Sequence, residues 1–216
     1  MSPVYEKIEK EISWLSFNER VLQEAIDKKV PLIERLRFLG IFSNNMDEFF
    51  RVRVADVNRR IIIARAKIDA DLTVKHEKKL LRDIQEKVQQ LQARFDQTYN
   101  EILAELARRN VLLLNETQLT EEQGDWIQEY FRDELKPALS TWLLDRAEEL
   151  PQIQEKLIYM AVELVLENGT QLYTLIAIPT EKLGRFIPIP KRYSKGKKTF
   201  ILLDDIIRYC LPDVYR

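Results

Sequence analysis

Asn45, Arg51, Arg53 and Arg60 are the side chains here whose types and spacing suggest chemistry. They lie in RFLGIFSNNMDEFFRVRVADVNRR, residues 37–60. With successive residues about 100° apart, Met46, Phe49, Phe50, Val54, Val57 and Ile61 gather on one arc, the face expected to pack inward. Arg53 falls inside that arc between Phe49 and Val57, Arg60 lies one heptad further on, and Arg51 points away. A guanidinium half-buried among aromatic residues needs a carboxylate or a phosphate as partner. Glu34 or Asp56 would serve in a structural ion pair, and an anion or nucleotide pocket is the other reading. Pattern alone leaves both open.

The same stretch is expected to contain a helix end, an Asn-Asn corner and a new helix. Asn45 is placed to N-cap that helix, with Glu48 completing a capping box and Asp47 suiting the positive end of the dipole. Free amide groups at such a corner would face an anion. Ahead of it, Ser16 and Glu19 form a second capping box, opening an amphipathic helix whose stripe is Phe17, Val21, Leu22, Ala25 and Ile26. Trp14 precedes that helix and either packs on the bundle or stacks on a ligand base. Pro31 suits the first turn of a second helix through Ile33, Leu36, Leu39 and Phe42. The helix after Asn45 extends to about Ala64, and residues 64–74 form a connection.

From Val74 to about Arg109, Leu80, Ile84, Val88, Leu91, Phe95, Tyr99, Ile102 and Leu106 recur at steps of three or four. This predicts a spine helix about 50 Å long, against which the three shorter helices pack. A coiled coil between chains explains the same stripe. After Asn110 the pattern becomes mixed. Val111–Leu114 suits a strand, Thr120 and Gln123 cap a helix ending at Pro137, and residues 156–166 and 170–178 are β-rich runs. Asn168-Gly169 between those runs predicts a two-residue hairpin. Residues 185–189 and 199–203 offer two more strands, the first at an edge because of Pro188 and Pro190. The basic loop RYSKGKK between them is either a hairpin tip or an anion contact, and Leu203–Leu211 resembles a final helix. The expected fold class is therefore α+β: an antiparallel helical bundle with one long spine helix over residues 1–109, then an incomplete α+β domain with antiparallel strands over 110–216.

Composition narrows the function classes. The 216 residues can bury a substantial core unaided, and 45% hydrophobic with 32% charged is an ordinary soluble balance. A net charge of −1 gives no global attraction to nucleic acid or acidic membranes. No GxxxxGK[ST] or GxGxxG occurs among only five glycines. The single cysteine, Cys210, excludes a disulfide framework and a Cys-based zinc site, and reads as a buried thiol. The sole histidine, His76, lacks companions for a metal and reads as a surface residue. The charged N-terminus has no signal core, and no apolar run is long enough to span a membrane. A cytoplasmic location is expected.

EISWLSFNERVLQEA and PLIERLRFLGIFSNNMDEFFRVRVADVNRR closely resemble the N-terminal domain of polyphosphate kinases of the large phosphohistidine class. LLLNETQLTEEQ and ILLDDIIRYCLPDVY resemble the start of that family's head domain, so the likeness spans nearly the whole chain, least at residues 64–79. The resemblance implies reversible transfer of the terminal phosphate of ATP to polyphosphate through a phosphohistidine, with magnesium. It implies a head domain that makes homodimer or higher contacts, and occasional membrane association of the full-length enzyme. It makes Asn45 the leading ATP-binding residue, with Arg51 and Arg53 as nearby support. The accepting histidine and the magnesium ligands belong to C-terminal domains beyond this match, and His76 corresponds to neither family histidine, so the fragment is expected to lack transfer activity alone. A helical docking or dimerisation module without ligand is the competing reading.

Overall fold

The computed structural model describes residues 8–66, 71–144, 152–155 and 157–215. Most of the charged N-terminus and Lys156, the expected start of one strand, lie outside them. The chain separates into two compact units, Met1–Leu106 and Ala107–Arg216. The α+β expectation holds, with helices first and small sheets second.

In the first unit, α1 spans Lys10–Ile26, α2 Leu32–Glu48, α3 Ala55–Arg65 and α4 Asp71–Arg108. α1 begins ahead of the expected start, so Trp14 lies within it and Ser16 is interior rather than a cap, its hydroxyl donating to the Ile12 carbonyl at 3.1 Å. Glu19 turns instead to Lys87 and Arg94 of α4, and those two cations hold its carboxyl below the usual range. The buried stripe of α1 is Glu11, Leu15, Asn18, Leu22 and Ala25. Phe17, expected in that stripe, is 58% exposed.

The expected break at the two asparagines does not form. α2 passes through them, and the Phe49 N–H reaches the Asn45 carbonyl. A π-helical turn over Phe49–Val54 leads directly into α3, so residues 32–65 form one continuous rod. Asn45 makes no cap, because its side chain is committed to Asn18 across the helix pair. The buried positions of the rod are 32, 35, 39, 42 and 49, then 54, 57, 61 and 64. The step of five from Phe49 to Val54 is the residue that the wider turn absorbs. Val54 is buried as the wheel has it, whereas Arg53, also placed inside that arc, is only half-buried and Phe50 is left exposed. Ile33 and Leu36, expected in the α2 stripe, are also exposed, and Arg35 is buried between them.

α1 runs antiparallel to the rod, as the contacts Arg35 to Ala25 and Asn45 to Asn18 show. α4 is the expected spine. It pairs Phe95 with Phe42 at 5.6 Å and Glu105 with Arg35 at 2.9 Å, so it runs antiparallel to the rod. Arg60 ties three helices together: it meets Glu77 of α4 through two nitrogens at 2.9 and 3.0 Å, Glu11 of α1 at 3.5 Å, and Asp56 of α3.

The second unit contains β1 Val111–Leu114, α5 Glu121–Tyr130, β2 Ser140–Leu143, β3 Ile158–Val165, β4 Gln171–Ile178, α6 Thr180–Leu183, β5 Phe186–Ile189, β6 Lys198–Leu202, α7 Leu203–Tyr209 and α8 Leu211–Val214. Two three-stranded sheets result, ordered β1-β6-β5 and β2-β4-β3. Three of the pairings among the described residues are antiparallel; β1 and β6 pair in parallel, the intervening chain being long enough for the crossover. β5 is an edge strand, as its prolines require. The Thr120/Gln123 capping box forms as expected. Residues 166–170 join β3 to β4 in place of the expected two-residue turn: Leu166 N–H reaches the Thr170 carbonyl, Gly169 N–H returns to the Leu166 carbonyl, and Gly169 takes φ 79°. Cys210 is buried, and burial pushes its thiol up to about 12.

One carboxylate pair gives this unit a pH signature. Burial first, and then the neighbouring Asp204, push Asp205 up to about 6, against the opposing charge of Arg208. The folded state therefore holds this proton more tightly than the unfolded chain does, and the contribution of the group to stability is lost as pH rises through 6. Asp205→Asn is expected to flatten the pH dependence between about pH 4 and 7, by about 1 kcal/mol after solvent screening. Melting temperatures across that range check this; an identical slope in wild type and variant would refute it.

Candidate functional site

A cleft of about 570 Å³ opens on the helical unit, lined by residues of α1, the end of α2, the π turn and α3. Its floor is aromatic: Trp14 stacks on Phe49 with centroids 4.9 Å apart and planes 22° from parallel. The Arg53 guanidinium lies 5.9 Å from the Trp14 ring centroid. Such a contact steadies a cation without neutralising it. Among the described residues Arg53 meets no carboxylate, so neither Glu34 nor Asp56 supplies the structural partner considered for it.

Two of the three carboxylates lining the cleft are closely paired with arginines. Glu48 pairs with Arg51, and Asp56 with Arg59 and Arg60. The arginines hold the Asp56 carboxyl below its ordinary range, chiefly through the hydrogen bond from Arg59. Glu11 is 1% exposed, with one oxygen facing Lys10 and Arg60 and the other unpartnered among the described residues. Arg53 is thus the cation best able to accept an incoming anion, and a guanidinium offers a planar fork of donors suited to phosphate.

Asn45 lies one helical turn before this cleft and does not line it. Its orientation follows from a short chain of hydrogen bonds. The Phe42 carbonyl can only accept, so the Asn18 amide nitrogen faces it at 3.1 Å. The Asn18 oxygen then accepts from the Asn45 Nδ2 at 2.9 Å. This relay leaves the Asn45 side-chain oxygen as an unspent acceptor. Arg51 is exposed on the outer side of the rod, as the wheel indicated. The structure therefore brings Arg53 to the cleft, sets Asn45 next to it and Arg51 beyond it. Trp14, considered beforehand for either the bundle or a ligand base, lines the cleft; Lys10 and Arg59 join it unforeseen, and Asn18 was detectable as a polar residue at 15-18-22-25 spacing.

Among the described residues there is no group of three His, Cys, Asp or Glu side chains able to hold a metal. With Glu48 and Asp56 held by arginines, and Glu11 alone of the three keeping a buried oxygen unpartnered among the described residues, the cleft does not fit magnesium. His76 is exposed, 3.3 Å from Glu9. No helix of the described residues is long and apolar enough to cross a membrane.

Fold and cleft together define an α+β protein whose helical unit carries a cleft with a guanidinium that, among the described residues, meets no carboxylate. The family models for the polyphosphate kinase N-terminal domain and the polyphosphate kinase middle domain match residues 7–114 and 122–216. The chain belongs to the polyphosphate kinase family. It is 51% identical over 210 residues to the polyphosphate kinase of Vibrio parahaemolyticus and 45% identical over 210 residues to that of Escherichia coli. In each case the match covers 97% of this chain and 30% of the relative. The crystal structure of polyphosphate kinase from Porphyromonas gingivalis superposes with a TM-score of 0.77 at 29% identity, over 95% of this chain and 31% of that one. The chain thus spans less than a third of the length of these relatives.

Proposed function

We propose that this chain is the nucleotide-proximal N-terminal part of an ATP–polyphosphate phosphotransferase, comprising a helical domain over residues 1–109 and the first part of a head domain over 110–216. In this reading it contributes to ATP binding and to homo-oligomer contacts in a cytoplasmic enzyme. The phosphohistidine and the magnesium ligands are assigned to the remaining two thirds of the length seen in the relatives, so the chain alone does not transfer phosphate. The observation that carries the reading is the Arg53 guanidinium, held over Trp14 at the cleft and lacking a carboxylate partner among the described residues.

The roles follow from the donor and acceptor inventory. Arg53 binds a phosphate oxygen of ATP through its fork of N–H groups. Asn45, its nitrogen spent on Asn18, accepts from the exocyclic amine of the purine. Arg51 supplies weaker long-range support, since Glu48 already engages it. Phosphoryl transfer depends on positioning and charge stabilisation, and these residues provide one wall of that positioning.

In the complete enzyme, Asn45→Ala and Arg53→Ala are each expected to raise the ATP KM about tenfold, corresponding to one lost charge-assisted or buried hydrogen bond. Arg51→Ala is expected to spare stability and cost less. Steady-state kinetics with ATP as the varied substrate check this, and unchanged nucleotide dependence in both main variants would remove the assignment. A second reading, a docking or dimerisation module, is favoured by the exposed apolar side chains Phe17, Phe50 and Val52. Association in sedimentation, together with indifference to ATP, would select it.

A further inference from the structure

The loop of residues 192–198 carries a second cleft, in the α+β unit, of about 460 Å³ between RYSKGKK and the start of α5. Arg192, Lys195 and Lys197 line it, and among the described residues none of them meets a carboxylate at ion-pair distance. They outnumber Glu121 and Glu122, which line it too. α5 is ten residues long, and its capping box satisfies the N–H groups of Thr120 and Gln123. The N–H groups of Glu121 and Glu122 have no acceptor within the helix. Thr199 of β6 supplies the independent sign of a ligand. It lines the cleft, is 1% exposed, and its hydroxyl has no hydrogen-bond partner among the described residues. A buried hydroxyl is costly to leave unmatched.

The loop is also fixed against the helix. Gln123 Nε2 donates to the Tyr193 carbonyl at 2.9 Å, and the buried Ser194 hydroxyl donates to the carbonyls of Pro190 at 3.3 Å and Ile189 at 3.5 Å. The cations are therefore carried on an anchored frame rather than on a free tip.

We infer that this cleft binds a linear oligophosphate, with Arg192, Lys195 and Lys197 on its oxygens, the first turn of α5 donating N–H groups, and the Thr199 hydroxyl donating from below. Three separate cations in a cleft of this volume match a chain of phosphates better than a single one. The choice of an inorganic chain rests on the function proposed above; the site for a multivalent phosphate anion does not.

Inorganic tripolyphosphate titrated into the 216-residue chain, followed by amide chemical shifts, tests this. Shifts are expected at Glu121, Glu122, Lys195, Lys197 and Thr199, with affinity falling as salt is added. Lys195→Ala with Lys197→Ala is expected to weaken binding about tenfold. Thr199→Val, which keeps the shape and removes the hydroxyl, is expected to weaken it about threefold with a melting temperature equal to or above that of the wild type. Shifts confined to other segments, or undiminished binding in the double variant, would overturn the site. Tripolyphosphate binding here is expected to be indifferent to Asn45→Ala and Arg53→Ala, so the two sites succeed or fail separately.

Discussion

Replacing Arg35 by alanine is expected to destabilise the helical unit by about 3–4 kcal/mol, more than any other single truncation in it. Arg35 is 1% exposed, and its side chain is buried where the start of α2 meets the ends of α1 and α4. Its Nε donates to the Ala25 carbonyl at 2.7 Å, near the end of α1, and a terminal nitrogen pairs with Glu105 of α4 at 2.9 Å. Truncation strips a buried carbonyl of its donor, leaves the Glu105 carboxylate without its partner, and opens a cavity where a long aliphatic stem was packed. Arg35→Met fills the cavity without restoring the bonds and is expected to recover about half of the loss. Urea unfolding followed by far-ultraviolet circular dichroism distinguishes these outcomes. Equal stability of wild type and the alanine variant would mean that packing of α1, the rod and α4 does not depend on this side chain.

The second large effect lies in the α+β unit. Gly124, in the first half of α5, faces α7 so closely that an added Cβ would stand 2.2 Å from the Tyr209 hydroxyl oxygen and 3.0 Å from its ring carbon. Helix propensity alone would favour alanine by about 1 kcal/mol. Overpacking against a half-buried aromatic ring that packs on the core costs about 3 kcal/mol, so the clash wins and a net loss of about 2 kcal/mol is expected for Gly124→Ala. Tyr209→Phe removes the oxygen nearest the new methyl. The double variant is therefore expected to recover most of the loss, and a thermal melt of the two variants side by side checks it. Strict additivity of the two substitutions would show that they do not meet.

What was legible beforehand follows the reach of hydrophobic periodicity. The spine helix, the strand runs and the Thr120 capping box were readable because each repeats a local rule over several residues. Asn18 and Arg35 were not, because both occupy core positions that a polarity pattern assigns to water; only their place in the 15-18-22-25 and 32-35-39-42 series betrays them. Phe17, Phe50, Ile33 and Leu36 were misplaced for the converse reason, since an apolar side chain can stay exposed. Asn45 carries a strong preference for a cap, yet a buried partner on a neighbouring helix outweighed it. The guanidinium of Arg53 lies over Trp14, a neighbour distant in sequence and beyond the view of a single-helix wheel.

The widened turn between Phe49 and Val54 also bears on where the charge at position 53 comes from. Had the rod kept an even pitch, positions 53 and 54 would both have turned inward, as the wheel has them, and the guanidinium would have competed with Val54 for the dry interior. The extra backbone unit works like a slipped gear tooth: it keeps the teeth beyond it meshed with the spine while ejecting one cation toward the rim. Local irregularity and a poised positive charge are therefore a single event. A helix regularised there would lose its charged rim even with every side chain unchanged.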